Sequence, residues 1–126
     1  MLATPGHTPT SVSLYDESRS QLFAGDFIYP GYLYAYLPGA SRSAYHATTR
    51  GLLSAIDPAS QIFAAHMEDS TVAVKAPVLE VADLVALDHA LADIEQGTSH
   101  ATGFYPRVYP VRGPIKFATG WAWNNR

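Results

Sequence analysis

The sequence predicts an α/β (α+β) domain in which one mixed β-sheet carries two main helices on its outer face. Two segments repeat apolar residues at helical spacing, from Ser43 to about Ile56 and from about Val81 to Gln96. Short alternating or apolar runs around them are typical of strands. With 126 residues, 48% of them hydrophobic, the chain is predicted to be a single domain with a modest core, covering residues 1–126.

The boundaries of these elements follow from local signals. Ser41 or Ser43 can cap the first helix and Asp57-Pro58 ends it, while Gly97 ends the second helix. The segment from Phe27 to Ala40 is rich in Gly, Pro and Tyr, which predicts an ordered loop. The predicted strands are Ser11 to Tyr15, Gln21 to Ala24, Gln61 to Ala65, Arg107 to Arg112 and Ile115 to Trp123.

Composition excludes several classes of function and of site. The net charge of −3 is spread without basic runs, so the phosphate-neutralising surface of a nucleic-acid-binding protein is absent. No apolar stretch reaches the roughly 18 to 20 residues that span a bilayer, and the first residues lack the pattern of a signal peptide. We therefore expect a cytoplasmic chain without membrane partners. Because the chain contains no cysteine, a metal site must use histidines and carboxylates.

Three metal-capable side chains stand in turns or at the ends of predicted strands. His7 follows Thr-Pro-Gly, Asp26 follows Gly25, and His66 follows Phe-Ala-Ala. Strand ends and the loops after them are where the active sites of layered α/β folds gather. Structural alternatives exist for each: His7 as a turn cap, Asp26 as a turn residue and His66 as a packed strand-end histidine. The rigid turns beside them favour metal ligands.

Three motifs carry a resemblance to the metallo-β-lactamase superfamily. They are TPGHTP at 4–9, SLY followed by a turn and LFAGD within 13–26, and FAAH at 63–66. The sequence resembles the C-terminal half of that fold from residue 4 to about residue 95. The resemblance implies half of an αββα sandwich and a metal-dependent hydrolase. Two local departures are Thr10, where the family commonly has Gly, and Met67, where Gly usually follows the histidine.

The resemblance also implies a dinuclear zinc site, with iron or manganese as alternatives. By motif, His7 is a ligand of the first metal, Asp26 bridges both metals as the catalytic carboxylate, and His66 binds the second. A shared carboxylate reduces the repulsion between two cations, and the metals provide a water of lowered pKa as nucleophile. This chemistry hydrolyses small-molecule esters, thioesters, amides or phosphoesters.

The family's His-x-His-x-Asp-His motif has no counterpart in this sequence. Each metal would keep two protein ligands where catalytic zinc sites usually have three. We therefore expect a truncated hydrolase that is inactive alone. Its inner sheet face, with Phe117, Trp121 and Trp123, would lack its cover and would pair with a complementary N-terminal half or form a homodimer. The alternative is a non-catalytic remnant or interaction module that associates through this face.

Four tyrosines fall within eight residues after Asp26, at positions Tyr29, Tyr32, Tyr34 and Tyr36. Because this segment follows a predicted metal ligand directly, some of the rings are expected to form the wall of a substrate pocket. The remaining rings are expected to pack in the core. Glu68, which follows His66 closely, is expected to lie in a solvated turn.

Overall fold

The computed structural model describes residues 1–68 and 77–120. In these residues four strands precede the first helix, two strands lie between the helices and two strands follow the second helix. The strands are β1 (Leu2–Ala3), β2 (Val12–Asp16), β3 (Gln21–Gly25), β4 (Tyr32–Ala35), β5 (Gln61–Ala64), β6 (Val78–Glu80), β7 (Arg107–Arg112) and β8 (Ile115–Thr119), and the helices are α1 (Arg42–Ala55) and α2 (Val81–Gln96).

The strands form two mixed sheets, and with two helices they give the predicted α+β class. The larger sheet has the order β1-β2-β3-β5-β6 and the smaller has the order β4-β8-β7. The pairs β3–β5 and β4–β8 are parallel, and the other pairs are antiparallel. A single sheet was predicted; the strands divide because Pro30 and Gly31 turn the chain away from β3, so that β4 pairs with β8 instead.

Both helices begin and end close to the predicted residues. The Ser41 hydroxyl accepts a hydrogen bond from the Ala44 amide at the start of α1, and Gly97 ends α2 with φ of 72°. The buried His46 joins the two helices, because its ring nitrogens lie 2.9 Å from Asp88 Oδ1 and 2.8 Å from Glu95 Oε1. Neither helix is long and apolar enough to cross a membrane, within the part of the chain that the structure describes.

One hydrophobic core is shared by both sheets and both helices. Tyr45 of α1 lies at its centre with no exposed surface, and its ring stacks on Phe27 at 4.9 Å and meets Phe117 edge-on at 5.2 Å. Helix α2 contributes a row of leucines at helical spacing. The other fully buried large side chains of this core are Leu22, Ile28, Tyr29, Leu33, Ile62, Leu84, Leu87, Leu91 and Ile115.

The predicted loop from Phe27 to Ala40 contains a strand, β4, and this part of the prediction was wrong. Tyr32 and Tyr34 point away from the core while Leu33 and Ala35 are buried, which is the period-two pattern of a strand. The density of Gly, Pro and Tyr around it obscured these four residues.

The predicted exposure of Phe117 was also wrong. Phe117 belongs to the smaller sheet and is fully buried against Tyr45, because β8 packs toward the helices. Strand β8 ends at Thr119, and Trp121 and Trp123, predicted to share the uncovered face, lie outside the described residues.

The larger sheet instead carries an apolar row on the face turned away from the helices. Register pairs Leu14 with Phe23, Phe23 with Phe63, and Phe63 with Val78, so these four side chains form one line across four strands. The rings of Phe23 and Phe63 stack at 5.3 Å. Val12 lies on the same side as Leu14, and both are about half exposed. We call these five residues the apolar sheet face.

Two glycines provide a test of the packing around Tyr45. Gly6 has φ of 150°, and a Cβ atom there would lie 2.7 Å from Tyr45 Cγ, whereas nothing lies within 4 Å of a Cβ at Gly51 on α1. Gly6→Ala should lower the free energy of unfolding by about 3 kcal/mol through backbone strain and overpacking. Gly51→Ala should raise it by about 1 kcal/mol through helix propensity.

Urea unfolding of both variants measures these opposite changes. A Gly6→Ala variant as stable as the wild-type chain would show that the close approach of this turn to Tyr45 is not a constraint.

Candidate metal centre

Asp26 and His66 meet at one end of the larger sheet. Their strands, β3 and β5, are parallel neighbours, so the residues that follow both strands emerge at the same edge. Gly25 adopts φ of 57°, which turns the chain immediately before Asp26, and the Ala65 amide donates to the Gly25 carbonyl at 3.1 Å. His66 Nε2 consequently lies 3.2 Å from Asp26 Oδ1. About half of each side chain is exposed, so the pair is open to solutes.

His7 lies in a turn that is held from both sides. The Thr4 amide donates to the Ser11 carbonyl at 2.8 Å, which closes the turn, and the Ser41 amide donates to the Gly6 carbonyl at 2.9 Å. The Thr48 hydroxyl on α1 donates to the Pro5 carbonyl at 2.7 Å. The turn is therefore tied to the first helix, and its position does not depend on His7 itself.

The Nδ1 atom of His7 is buried and has no hydrogen-bond partner among the described residues. A buried polar atom without a partner costs about 1 to 3 kcal/mol, so native proteins seldom leave one without a role. A buried imidazole nitrogen without a partner is expected where a bound cation or a further hydrogen-bonding neighbour would complete the interactions of the ring.

The structure brings together two of the three predicted ligands. Asp26 and His66 are in contact, whereas residues 1–68 and 77–120 contain no group of three or more His, Asp or Glu side chains arranged to hold a metal ion. His7 and Asp26 are linked indirectly, since the ring of Tyr45 packs against Gly6 on one side and Phe27 on the other. The donors are imidazole nitrogens and a carboxylate, which suit zinc and other divalent ions in chemical type.

The segment from Tyr29 to Tyr36, called here the tyrosine segment, contacts His66 through Tyr29. The Tyr29 ring lies 4.2 Å from the His66 ring, and the Tyr29 hydroxyl donates to the backbone carbonyl of Tyr32. Burial raises the pKa of Tyr29 well above its usual range, and the negative charges of Glu68 and Asp26 add to the shift. Tyr29 therefore stays neutral and covers one side of the imidazole.

Glu68 lies exposed in a bend, in agreement with the solvated turn predicted for it, and its side chain is also anchored. Its Oε2 atom accepts from the Tyr32 amide at 2.9 Å, and its backbone amide donates to the Pro30 carbonyl at 3.0 Å. Burial and a hydrogen bond to the same carboxylate raise the pKa of Tyr34. Glu68 thereby fastens the His66 loop to the tyrosine segment. The sequence gives no signal for this anchoring contact, because an acidic residue shortly after a strand-end histidine is equally compatible with a side chain that contacts only water.

Of the outer tyrosines, Tyr32 lines a cavity near Glu68. The Lys116 ammonium lies 5.3 Å from the centroid of the Tyr32 ring. The rings of Tyr34 and Tyr36 pack edge-on, with their centroids 5.8 Å apart. A cavity of about 280 Å³ next to this segment is lined by Pro30, Gly31, Tyr32, Glu68, Pro114 and Lys116. A larger cavity of about 560 Å³ lies at the opposite end of β5, beside Gln61, and is remote from the pair.

Comparison with known proteins identifies the family of the chain. The family model of the metallo-beta-lactamase superfamily matches residues 1–89. The chain is 40% identical over 53 residues to the acyl-coenzyme A thioesterase MBLAC2 of Homo sapiens, and equally to that of Bos taurus, which covers 42% of this chain and 19% of each relative. It is 30% identical over 73 residues to an uncharacterized protein of Aquifex aeolicus (strain VF5), which covers 57% of this chain and 35% of the relative.

The chain thus spans between about a fifth and about a third of the length of the curated relatives it matches. Because the matched segment covers more than half of the chain and contains all three motifs, the chain belongs to the metallo-β-lactamase superfamily.

Proposed function

We propose that this chain carries part of the active site of a metal-dependent hydrolase with two zinc ions. The observation that carries the proposal is the contact between Asp26 and His66 at the carboxyl ends of two parallel strands. We assign Asp26 as the bridging and catalytic carboxylate, His7 as a ligand of the first metal and His66 as a ligand of the second. Bound zinc would supply a water molecule whose pKa is low enough to make it a nucleophile at neutral pH.

The protein's own residues would hold and orient this site. Tyr29 limits the motion of the His66 ring, and Glu68 ties the loop that bears His66 to the tyrosine segment. Such outer contacts fix the direction of a ligand's lone pair. Tyr29, Tyr32, Tyr34 and Tyr36 are our candidates for the wall of the substrate pocket.

Esters, thioesters, amides and phosphoesters are the substrate classes that this chemistry covers. The two mammalian relatives are named acyl-coenzyme A thioesterases, which favours a thioester among the four. Iron or manganese could replace zinc, because a site of imidazoles and carboxylates accepts several divalent ions.

The donor count supports a role for a complementary half. A catalytic zinc usually has three protein ligands, and the described residues bring only Asp26 and His66 into contact. We propose that a complementary segment with a His-x-His-x-Asp-His motif supplies the remaining ligands. Whether the coding region upstream of this chain encodes such a segment, in frame or as a separate chain, tests this directly.

A second proposal, from a different class, is an interaction module without catalytic activity. The apolar sheet face favours it, because stacked phenylalanines and flanking aliphatic residues across four strands are unusual on a surface exposed to water. This face would pack against another sheet, from a complementary half or from a second copy of the chain. Both proposals use the same face, but only the hydrolase requires Asp26 and His66.

Zinc binding separates the two proposals. The isolated chain should bind zinc weakly and show no appreciable turnover, since the open positions would be filled by water and the nucleophile would be poorly oriented. Asp26→Ala and His66→Ala should each lower zinc affinity by more than about tenfold, because loss of a direct ligand exceeds the effect of losing an outer-shell partner. His89→Ala, which removes an exposed histidine on α2, is the matched control and should leave affinity unchanged.

Calorimetric titration with zinc, beside a panel of thioester, ester, amide and phosphoester substrates, measures these effects. Zinc affinity that is equal in all four proteins would refute the ligand assignment. Tight binding of two zinc ions with steady turnover by the chain alone would instead refute the need for a complementary half.

Association through the apolar sheet face is tested by light scattering of the pure chain. The wild-type chain should form dimers or larger species, and Phe23→Lys should shift it toward the monomer because a charge would be buried in the contact. Leu37→Lys is the matched control, since Leu37 is 44% exposed and Phe23 is 45% exposed, but Leu37 lies outside this face. A wild-type chain that stays monomeric at high concentration would count against this role for the face.

A further inference from the structure

His46 is a buried histidine with a carboxylate at each of its ring nitrogens. It lies on α1, and only 5% of its surface is exposed. Its Nε2 atom lies 2.9 Å from Asp88 Oδ1 and its Nδ1 atom lies 2.8 Å from Glu95 Oε1, and both carboxylates belong to α2. Since ionised carboxylates only accept hydrogen bonds, both contacts are hydrogen bonds only when both ring nitrogens carry a proton. The arrangement therefore fits the imidazolium cation, and a neutral ring can satisfy only one of the two contacts.

Two arginines of α1 are the other charged groups beside this ring. Arg50 Nε donates to Asp88 Oδ1 at 3.1 Å, and Arg42 stands one helical turn before His46. Both guanidinium groups stay charged throughout the range in which histidines titrate. Asp88 thus keeps an ion-pair partner whether or not His46 is charged, whereas Glu95 pairs with His46 alone among the residues that the structure describes.

Glu95 occupies an unfavourable position on α2 without this cation. It lies in the last turn, two residues after Asp93, and that turn contains no basic residue. Because unpaired carbonyl groups give the C-terminal end of a helix a partial negative charge, acidic side chains are unfavourable there and a cation is favourable. His46 supplies the cation from the neighbouring helix. Loss of its charge would leave two acidic side chains at this helix end without compensation.

We propose that His46 is a pH-sensitive link between α1 and α2. When the ring loses the proton on Nδ1, Glu95 turns away into the solvent, to which its side chain is already 42% exposed. The proton on Nε2 stays, because Arg50 holds the Asp88 carboxylate in place. The link therefore stabilises the fold below the titration of His46 and is lost as the pH rises through it. It involves no proposed metal ligand, so it can be tested independently of the proposed function.

Glu95→Gln tests the link while keeping a side chain of the same shape. Its amide group can donate to Nδ1 of a neutral ring, so the variant does not need the second ring proton. Between about pH 5.5 and about pH 8.5 histidines lose their charge while carboxylates keep theirs. Over this range the folded-to-unfolded ratio of the wild-type chain, relative to that of the variant, should fall by about tenfold, because a hydrogen bond between charged groups is lost. Urea unfolding of the full chain at both pH values measures this ratio.

His89→Gln is the matched control. It removes a titrating histidine from the same helix, but His89 is exposed and is not part of the link. The stability of this variant should change with pH as that of the wild-type chain does.

A second measurement follows the link directly in the wild-type chain. Nitrogen NMR of the His46 ring reports the loss of its second proton, and hydrogen exchange reports the protection of the backbone amides of residues 93–96. Protection of these amides should fall at the pH at which His46 loses that proton. In Glu95→Gln the protection should not follow the titration of His46.

Two results would overturn the inference. One is a difference in stability between the wild-type chain and Glu95→Gln that stays constant or grows in favour of the wild type as the pH rises. The other is a His46 ring that titrates in the wild-type chain without any change in the protection of residues 93–96. Neither result depends on zinc, so the proposed function would stand in both cases.

Discussion

The parallel pairing of β3 with β5 is the constraint on which the arrangement of this protein depends. Parallel neighbours cannot be joined by a tight turn, so the chain needs a long connection between them, and β4 and α1 lie within that connection. The pairing places the residues after both strands at one edge, which is why Asp26 and His66 are in contact although they are far apart in sequence. A different strand order would separate the two side chains.

Helix α1 supports the turn that bears His7. Thr48 holds this turn by a hydrogen bond to Pro5, and Tyr45 fills the space between Gly6 and Phe27. The helix is in turn held to α2 by the buried His46, whose two ring nitrogens are both bonded to carboxylates. The turn that bears His7 is thereby supported by packing and hydrogen bonds that extend across both helices, which is the support that the proposed ligand geometry would need.

The strands that end at Asp26 and His66 also carry the apolar sheet face. Side chains alternate along β3, so that Leu22 and Ala24 enter the core while Phe23 points to the opposite side. One short strand therefore contributes to the core, to the apolar sheet face and, through the residue that follows it, to the site. A second sheet packed on this face would lie next to the edge that holds Asp26 and His66, so the proposed association would take place beside the proposed site.

The sequence by itself determined the local elements and the candidate ligands. Helical spacing and capping residues placed α1 and α2 nearly to the residue, and the rigid turns around His7, Asp26 and His66 marked these side chains, because such signals act over a few neighbouring residues. The tertiary structure decided which strands pair and that Phe117 is buried on Tyr45. It also decided that Phe23 and Phe63 stack on the face turned away from the helices and that Glu68 anchors the tyrosine segment. Each of these depends on contacts between residues distant in the chain, and the free energy of such contacts is set by the whole packing arrangement, which short-range patterns do not encode.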